Sequence, residues 1–254
     1  MAALRRIAGF PALPRAALSL PLAAARPYHS YDHPATKPSF NQTETAILSA
    51  AYAHVPELGF TQEALGRGAR DVGYSDMSTT ALQDGLFSLI RYHLVTRREG
   101  LAARSADVLG AEGEGQASQI VDRVERLTWE RLIGNRDVIH KWQEALAVMA
   151  QPSYVPASLK ELSLLADEIW FLAGDKAVDP TWYTKRASLS AIYASSELFM
   201  TTDRSADFAE TRAFLGRRLE ETQKAGSVLG AVGEWVGFTA SAGVNVLRSK
   251  GVRI

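Results

Sequence analysis

The chain has 254 residues, with 28 Lys and Arg against 28 Asp and Glu and no cysteine. The missing thiols exclude disulfides, thiolate catalysis and cysteine-ligated metal sites. The even charge balance carries no sign of a nucleic-acid partner.

No Asp or Glu precedes Asp32, while Arg5, Arg6, Arg15 and Arg26 are spaced among Ala, Leu and Ser. An acid-free, Arg-spaced amphipathic leader is the pattern of a mitochondrial transit peptide, predicted here over residues 1–28. Residues 29–40 hold Pro34 and Pro38 without an apolar period and read as a disordered lead-in. The remainder suits one helical domain, 41–224, and a C-terminal helix and tail, 225–254.

Asn41 and Glu44 form a capping pair that opens a helix to about residue 54, closed by Pro56 and Gly59. Thr61 caps a short helix ending near Gly73. A long helix follows over 84–109, with Leu86, Leu89, Ile90, His93 and Leu94 on one face. Residues 110–115 read as a loop. Helices over 120–133 and 138–149 are split at Gly134-Asn135. Pro152 and Pro156 bracket a loop, and Ser158 with Glu161 reads as a second capping box for a helix stopped by Gly174. Asp179 and Pro180 open a helix over 179–200, and another covers 205–224. The periodicity is helical throughout, so the expected fold is all-α, with nine or ten helices.

Two segments stand out. On the helix over 179–200, Trp182, Arg186, Leu189, Tyr193 and Met200 share one stripe at 100° per residue. Aromatics beside a guanidinium compose a binding surface. The same stripe also reads as core, with Arg186 paired to a nearby carboxylate. Residues 225–247 carry one charge, Glu234, and an apolar half that includes Val228, Val232, Trp235 and Val236. Gly230, Gly233, Gly237 and Gly243, each costing about 0.8–1 kcal/mol relative to alanine, predict a helix that needs an apolar partner. That partner is the helix's own domain, a second subunit or a membrane interface, where Val228, Val232, Trp235, Val236 and Phe238 would contact lipid. Glu234 and Asn245 argue against a span.

The residues assemble no catalytic constellation. There is no Glu-x-x-His pair for a di-iron bundle, no Gly-x-Ser-x-Gly elbow, no P-loop and no dinucleotide fingerprint. Glu125, Asp167 and Glu168 are candidate buried carboxylates with no partner visible in the sequence. The chain reads as one without chemistry or cofactor of its own.

Three runs resemble one family in order and spacing. They are ILSAAYAHVPELGFTQEALGRGARDVG, LLADEIWFLAGDKAVDPTWYTKR and WYTKRASLSAIYASSELFMTTDRSADFAETRAFLGRRLEE. They resemble the mitochondrial ubiquinone-biosynthesis accessory proteins, a lipid-binding family with a TetR-like helical fold. The resemblance spans roughly residues 43–221 and is weak over 97–119. It rests on the Gly174-Asp175 step after Trp170, leading at fixed distance into Trp182-Tyr183-Thr184.

The resemblance implies a TetR-like bundle with a helix-turn-helix unit over about 43–90. That unit is not expected to bind DNA. No Lys or Arg lies between Arg70 and Arg91, while Asp71, Asp76 and Asp84 do. The function implied is non-catalytic: a homodimer on the matrix side of the mitochondrial inner membrane, holding a phospholipid or a polyprenyl quinone intermediate. It would present the intermediate to the di-iron demethoxyubiquinone hydroxylase. Ile169, Trp170, Leu172, Asp175, Trp182, Tyr183 and Arg186 are the expected partner-binding residues, and Trp129, Leu132, Ile133, Tyr193 and Met200 the expected lipid-cavity residues. The alternatives are a ligand-responsive TetR-like regulator, or a scaffold that recruits the enzyme without carrying lipid.

Overall fold

A computed structural model describes residues 39–110, 117–175 and 181–225. The transit peptide, most of the lead-in, the Asp179-Pro180 helix start and the membrane-contact residues Val228, Val232, Trp235, Val236 and Phe238 lie outside them. The described residues are all-α, with nine α-helices and three short 3-10 turns among them.

Helix α1 (Gln42–Ala53) begins as expected. Asn41 Oδ1 accepts the Glu44 N–H at 2.8 Å, and Glu44 Oε2 accepts the Asn41 N–H at 2.9 Å. The single turn α2 (Val55–Leu58) follows, with Pro56 in its first turn. Thr61 Oγ1 caps α3 (Gln62–Asp71) through the Ala64 N–H. Helices α1 and α3 cross closely because residue 68 is glycine: a Cβ there would lie 2.2 Å from the Ala51 nitrogen.

The interval expected to hold a recognition helix is instead a 3-10 helix, Asp76–Ala81. Thr79 and Thr80 hydroxyls donate to the Asp76 and Met77 carbonyls. Such local side-chain bonds compete with a regular α-helical ladder.

Helix α4 (Leu86–Leu109) is the long helix expected, and it joins two hydrophobic clusters. In the first, Phe87, Leu89 and Ile90 pack with Leu48, Leu65 and Trp142. In the second, Leu101 packs with residues of α5 (Ala117–Ile133), α7 (Val155–Leu172), α8 (Thr181–Met200) and α9 (Ala209–Ala225). Trp142, from α6 (Ile139–Met149), is completely buried in the first cluster.

Two boundaries differ from expectation. Helix α7 starts at Val155, with Pro156 inside its first turn, where a missing N–H costs nothing. The Ser158–Glu161 capping box does not form. Ser158 Oγ donates to the Tyr154 carbonyl, and Glu161 is buried with its Oε2 3.4 Å from Arg98 Nε. The helix expected over 205–224 is preceded by a 3-10 turn in which Asp207 and Phe208 have φ of 51° and 57°. The stop of α7 is as expected. Gly174, at φ +90°, donates to Phe171 and Asp175 donates to Trp170, each at 3.0 Å, which closes a Schellman motif.

Candidate functional site: an aromatic platform and an apolar cavity joined by one helix

The end of α7 and the start of α8 build the first feature. Arg186 Nε donates to Asp167 Oδ1, and its Cζ lies 3.8 Å from the Trp182 ring centroid. Lys185 Nζ donates to Asp175 Oδ1 at 3.1 Å and sits 5.4 Å from the Trp170 ring centroid. Trp170 Nε1 donates to the Lys185 carbonyl at 3.2 Å, tying α7 to α8. Trp182 and Tyr183 meet edge-on at 4.7 Å. Tyr183 projects outward, 74% exposed.

Two cations stacked on two indoles and held by the part-buried Asp167 and the buried Asp175 make a rigid platform; each such stack contributes about 1–2 kcal/mol when partly desolvated. The structure therefore brings Trp170, Asp175, Trp182, Tyr183 and Arg186 together. Leu172 is half-buried beside them. Ile169 is fully buried in the second core cluster, beneath the platform and out of reach of a partner. Arg186 and Asp175 are also buried, so they support the surface from below. Both readings of the α8 stripe apply along its length: Trp182 edges the surface, while Leu189, Tyr193 and Met200 are core.

The second feature is a cavity of about 190 Å³ among α4, α6, α7 and α8. Its walls are apolar, including Leu94, Leu146, Met149, Leu162 and Leu165. The lining also includes the exposed Ala150 and the 46% exposed Leu159, together with the buried Arg131, Tyr193 and Glu197.

Those three belong to a buried polar network. Glu197 Oε1 accepts from Asn135 Nδ2 at 2.8 Å and from Tyr193 Oη at 2.9 Å. Asn135 Oδ1 accepts from Arg131 Nη1 at 2.7 Å and lies 2.8 Å from His93 Nε2. With Asn135 Oδ1 accepting, His93 Nε2 carries the proton and Nδ1 accepts from Tyr52 Oη at 2.8 Å. Burial, and then the Arg131 charge, hold the His93 pKa well below its ordinary value, so the ring is neutral. Burial raises the Glu197 pKa, against the pull of Arg131. Burial also raises the Tyr193 pKa, so its hydroxyl remains a donor.

Only Tyr193 of the five expected cavity residues lines this space. Leu132 and Met200 are plain core, and Ile133 packs against that core. Trp129 is capped from α9 by Arg212, whose Cζ is 5.5 Å from its ring centroid. The signal that could have found the polar end is Glu197, a carboxylate one turn beyond Tyr193 on the buried stripe of α8.

A family model described as COQ9 matches residues 155–226, the stretch that carries α7, α8 and α9. The chain is 37% identical over 227 residues to "Ubiquinone biosynthesis protein coq9, mitochondrial" of Schizosaccharomyces pombe, covering 89% of this chain and 88% of that one. The chain belongs to the COQ9 family. It is also 30% identical over 218 residues to the COQ9 protein of Eremothecium gossypii, covering 80% of this chain and 84% of that one. Against the COQ9 protein of Homo sapiens it is 33% identical over 195 residues, 74% of this chain and 60% of the human one.

Membership of the COQ9 family supports a role in ubiquinone biosynthesis, and all three relatives are named as mitochondrial. Among the described residues no helix is long and apolar enough to cross a membrane, and no group of three or more His, Asp and Glu side chains could hold a metal ion.

Proposed function

We propose that this COQ9-family protein is a non-catalytic lipid carrier at the matrix face of the mitochondrial inner membrane. It takes up a polyprenyl quinone intermediate and presents it to the di-iron hydroxylase that acts on the demethoxy precursor. The observation that carries the reading is the layout of α8. Its first turn bears the part-buried Trp182 and the exposed Tyr183, aromatics of the kind that anchor protein interfaces. Its last turns bear Tyr193 and Glu197 at an apolar cavity. A protein partner and an apolar ligand would thus meet the same helix.

The physical task is plain. An isoprenoid tail gains about 0.8 kcal/mol per buried CH₂ and does not leave a bilayer unaided. A protein that offers an apolar compartment at the membrane surface lowers that barrier without covalent chemistry. Reading DNA suits the chain poorly. The recognition interval is a 3-10 turn, and Asp71, Asp76 and Asp84 lie in a stretch without Lys or Arg.

The first test is mass spectrometry of organic extracts of the purified protein beside a size-matched control. Co-purifying prenylated quinone or phospholipid is expected. An empty extract from folded protein overturns the carrier reading and leaves a scaffold that recruits the enzyme through Tyr183 and Trp182.

A further inference from the structure

We propose that the turn between α3 and α4 is a docking surface for a second protein, one that presents a basic segment with an apolar anchor. The surface is separate from the α7–α8 platform and from the cavity, and it stands whether or not the lipid-carrying reading holds.

Exposure is the first argument. Among the described residues six large apolar side chains are well exposed: Val72, Tyr74, Met77, Leu159, Tyr183 and Leu198. Leu159 belongs to the cavity lining and Tyr183 to the platform. Leu198 is a single side chain on α8, which is ordinary for a protein surface. The remaining three fall within the run 72–77, and Met77 is 73% exposed. Grouped apolar side chains, unlike scattered ones, mark an interaction site. Tyr and Met are also the types enriched where proteins meet, and Met adapts its shape to a partner.

Order is the second. Gly73, at φ +83°, turns the chain out of α3. The Gly73 and Tyr74 N–H groups donate to the Arg70 and Ala69 carbonyls at 2.9 and 2.8 Å. Arg70 Nη1 donates to Asp76 Oδ2 at 2.7 Å, and Gln62 Nε2 donates to the buried Thr79 Oγ1 at 2.9 Å. These bonds fasten the 3-10 helix Asp76–Ala81 to α3 and fix the backbone that carries Val72, Tyr74 and Met77. A surface already ordered loses little entropy when a partner binds.

Charge is the third, and it selects the partner. Residues 54–90 hold Glu57, Glu63, Asp71, Asp76 and Asp84 against Arg67 and Arg70. Both arginines are already bonded to carboxylates of the same unit, Glu63 and Asp76. The excess of carboxylates repels phosphate and an anionic bilayer, and it opposes the pairing of two copies through this same face. It attracts Lys and Arg on a protein partner, while Tyr74 and Met77 cover an apolar side chain between them.

The test replaces Met77 or, for comparison, Leu198 by the photo-crosslinker p-benzoylphenylalanine in the full chain, illuminates mitochondria that contain it and sequences the crosslinked peptides by mass spectrometry. Position 77 is expected to join one segment of another protein that carries net positive charge and an apolar side chain. Position 198 is not expected to join that segment. The proposal is overturned by no adduct at position 77, by adducts only to lipid or to this same chain, by a segment without net positive charge, or by the same adducts at both positions.

The crosslinked segment, made as a synthetic peptide, is then titrated onto the purified full chain. Met77→Ser and Tyr74→Ser should each weaken binding roughly 10-fold, and Leu198→Ser should leave it unchanged. Raising the salt concentration should weaken wild-type binding by a similar factor, a readout that needs no variant to fold. Affinity indifferent to both the position-77 change and salt overturns the surface.

Discussion

Tyr183 is 74% exposed, while Arg186, on the same face of the helix, is buried between Asp167 and the Trp182 ring. Substitutions at the two positions should therefore fail differently. Tyr183→Ala removes an exposed ring, and its effect on stability should stay within about 0.5 kcal/mol. Hydroxylase binding, followed by calorimetry, should still weaken. Arg186→Ala removes the buried cation bonded to Asp167, leaving Lys185 on Asp175, and should destabilise the fold by about 1–3 kcal/mol in denaturant melts. Unchanged binding by Tyr183→Ala would move the partner surface elsewhere.

A second residue-scale expectation concerns Asp203, whose carboxylate accepts from the Thr211 and Ser205 backbone N–H groups and hydroxyls. Burial alone would raise its pKa, but these bonds hold it at about 2, below the ordinary 3.8. A depressed carboxyl stabilises the fold above the unfolded value and loses that contribution as pH falls through the folded one. Asp203→Ala should cost about 1 kcal/mol near neutral pH. Urea melts should show the gap from wild type closing as pH drops from 3.8 toward about 2. A gap that does not change with pH would mean the carboxylate charge plays no part.

At the scale of elements, α1 and α3 depend on a missing side chain. A Cβ at residue 68 would fall 2.2 Å from the Ala51 nitrogen and 2.4 Å from its Cα, both backbone atoms that cannot turn aside. Gly68→Ala should force the helices apart and destabilise by about 1–3 kcal/mol, an overpacking effect, although alanine is the better helix former. A stabilised variant in thermal melts would show that the crossing is looser than described. Capping was legible at this scale where the partner is local. The Asn41–Glu44 box and the Thr61 cap lie three residues from the N–H groups they serve. The Ser158–Glu161 pattern looked equivalent and failed, because Glu161 is taken by Arg98, 63 residues away in sequence and buried with it.

For the whole molecule, the two core clusters are built within residues 48–219, from Leu48 to Leu219. A chain ending at residue 225 should therefore keep its helicity by circular dichroism. It should also lose binding to anionic vesicles in sedimentation assays, because the sequence pattern assigns the expected membrane contact to the segment 226–254. Persistent vesicle binding would assign the membrane contact to the described domain.

Sequence by itself determined the all-α class, most helix boundaries, the mitochondrial leader as an expectation and the resemblance that family membership later matched. These properties are written in local periodicity, caps and glycine stops, all read within a few residues. Only the tertiary structure decided which end of the α8 stripe is surface and which is core. It also buried Ile169 beneath the platform, replaced the recognition helix by a 3-10 turn, and moved the candidate cavity away from Trp129, Leu132, Ile133 and Met200. The polar end of that cavity joins His93, Arg131, Asn135 and Glu197 from α4, α5, a helix break and α8. No periodicity in one chain segment records such a meeting, because it is set by how the helices pack.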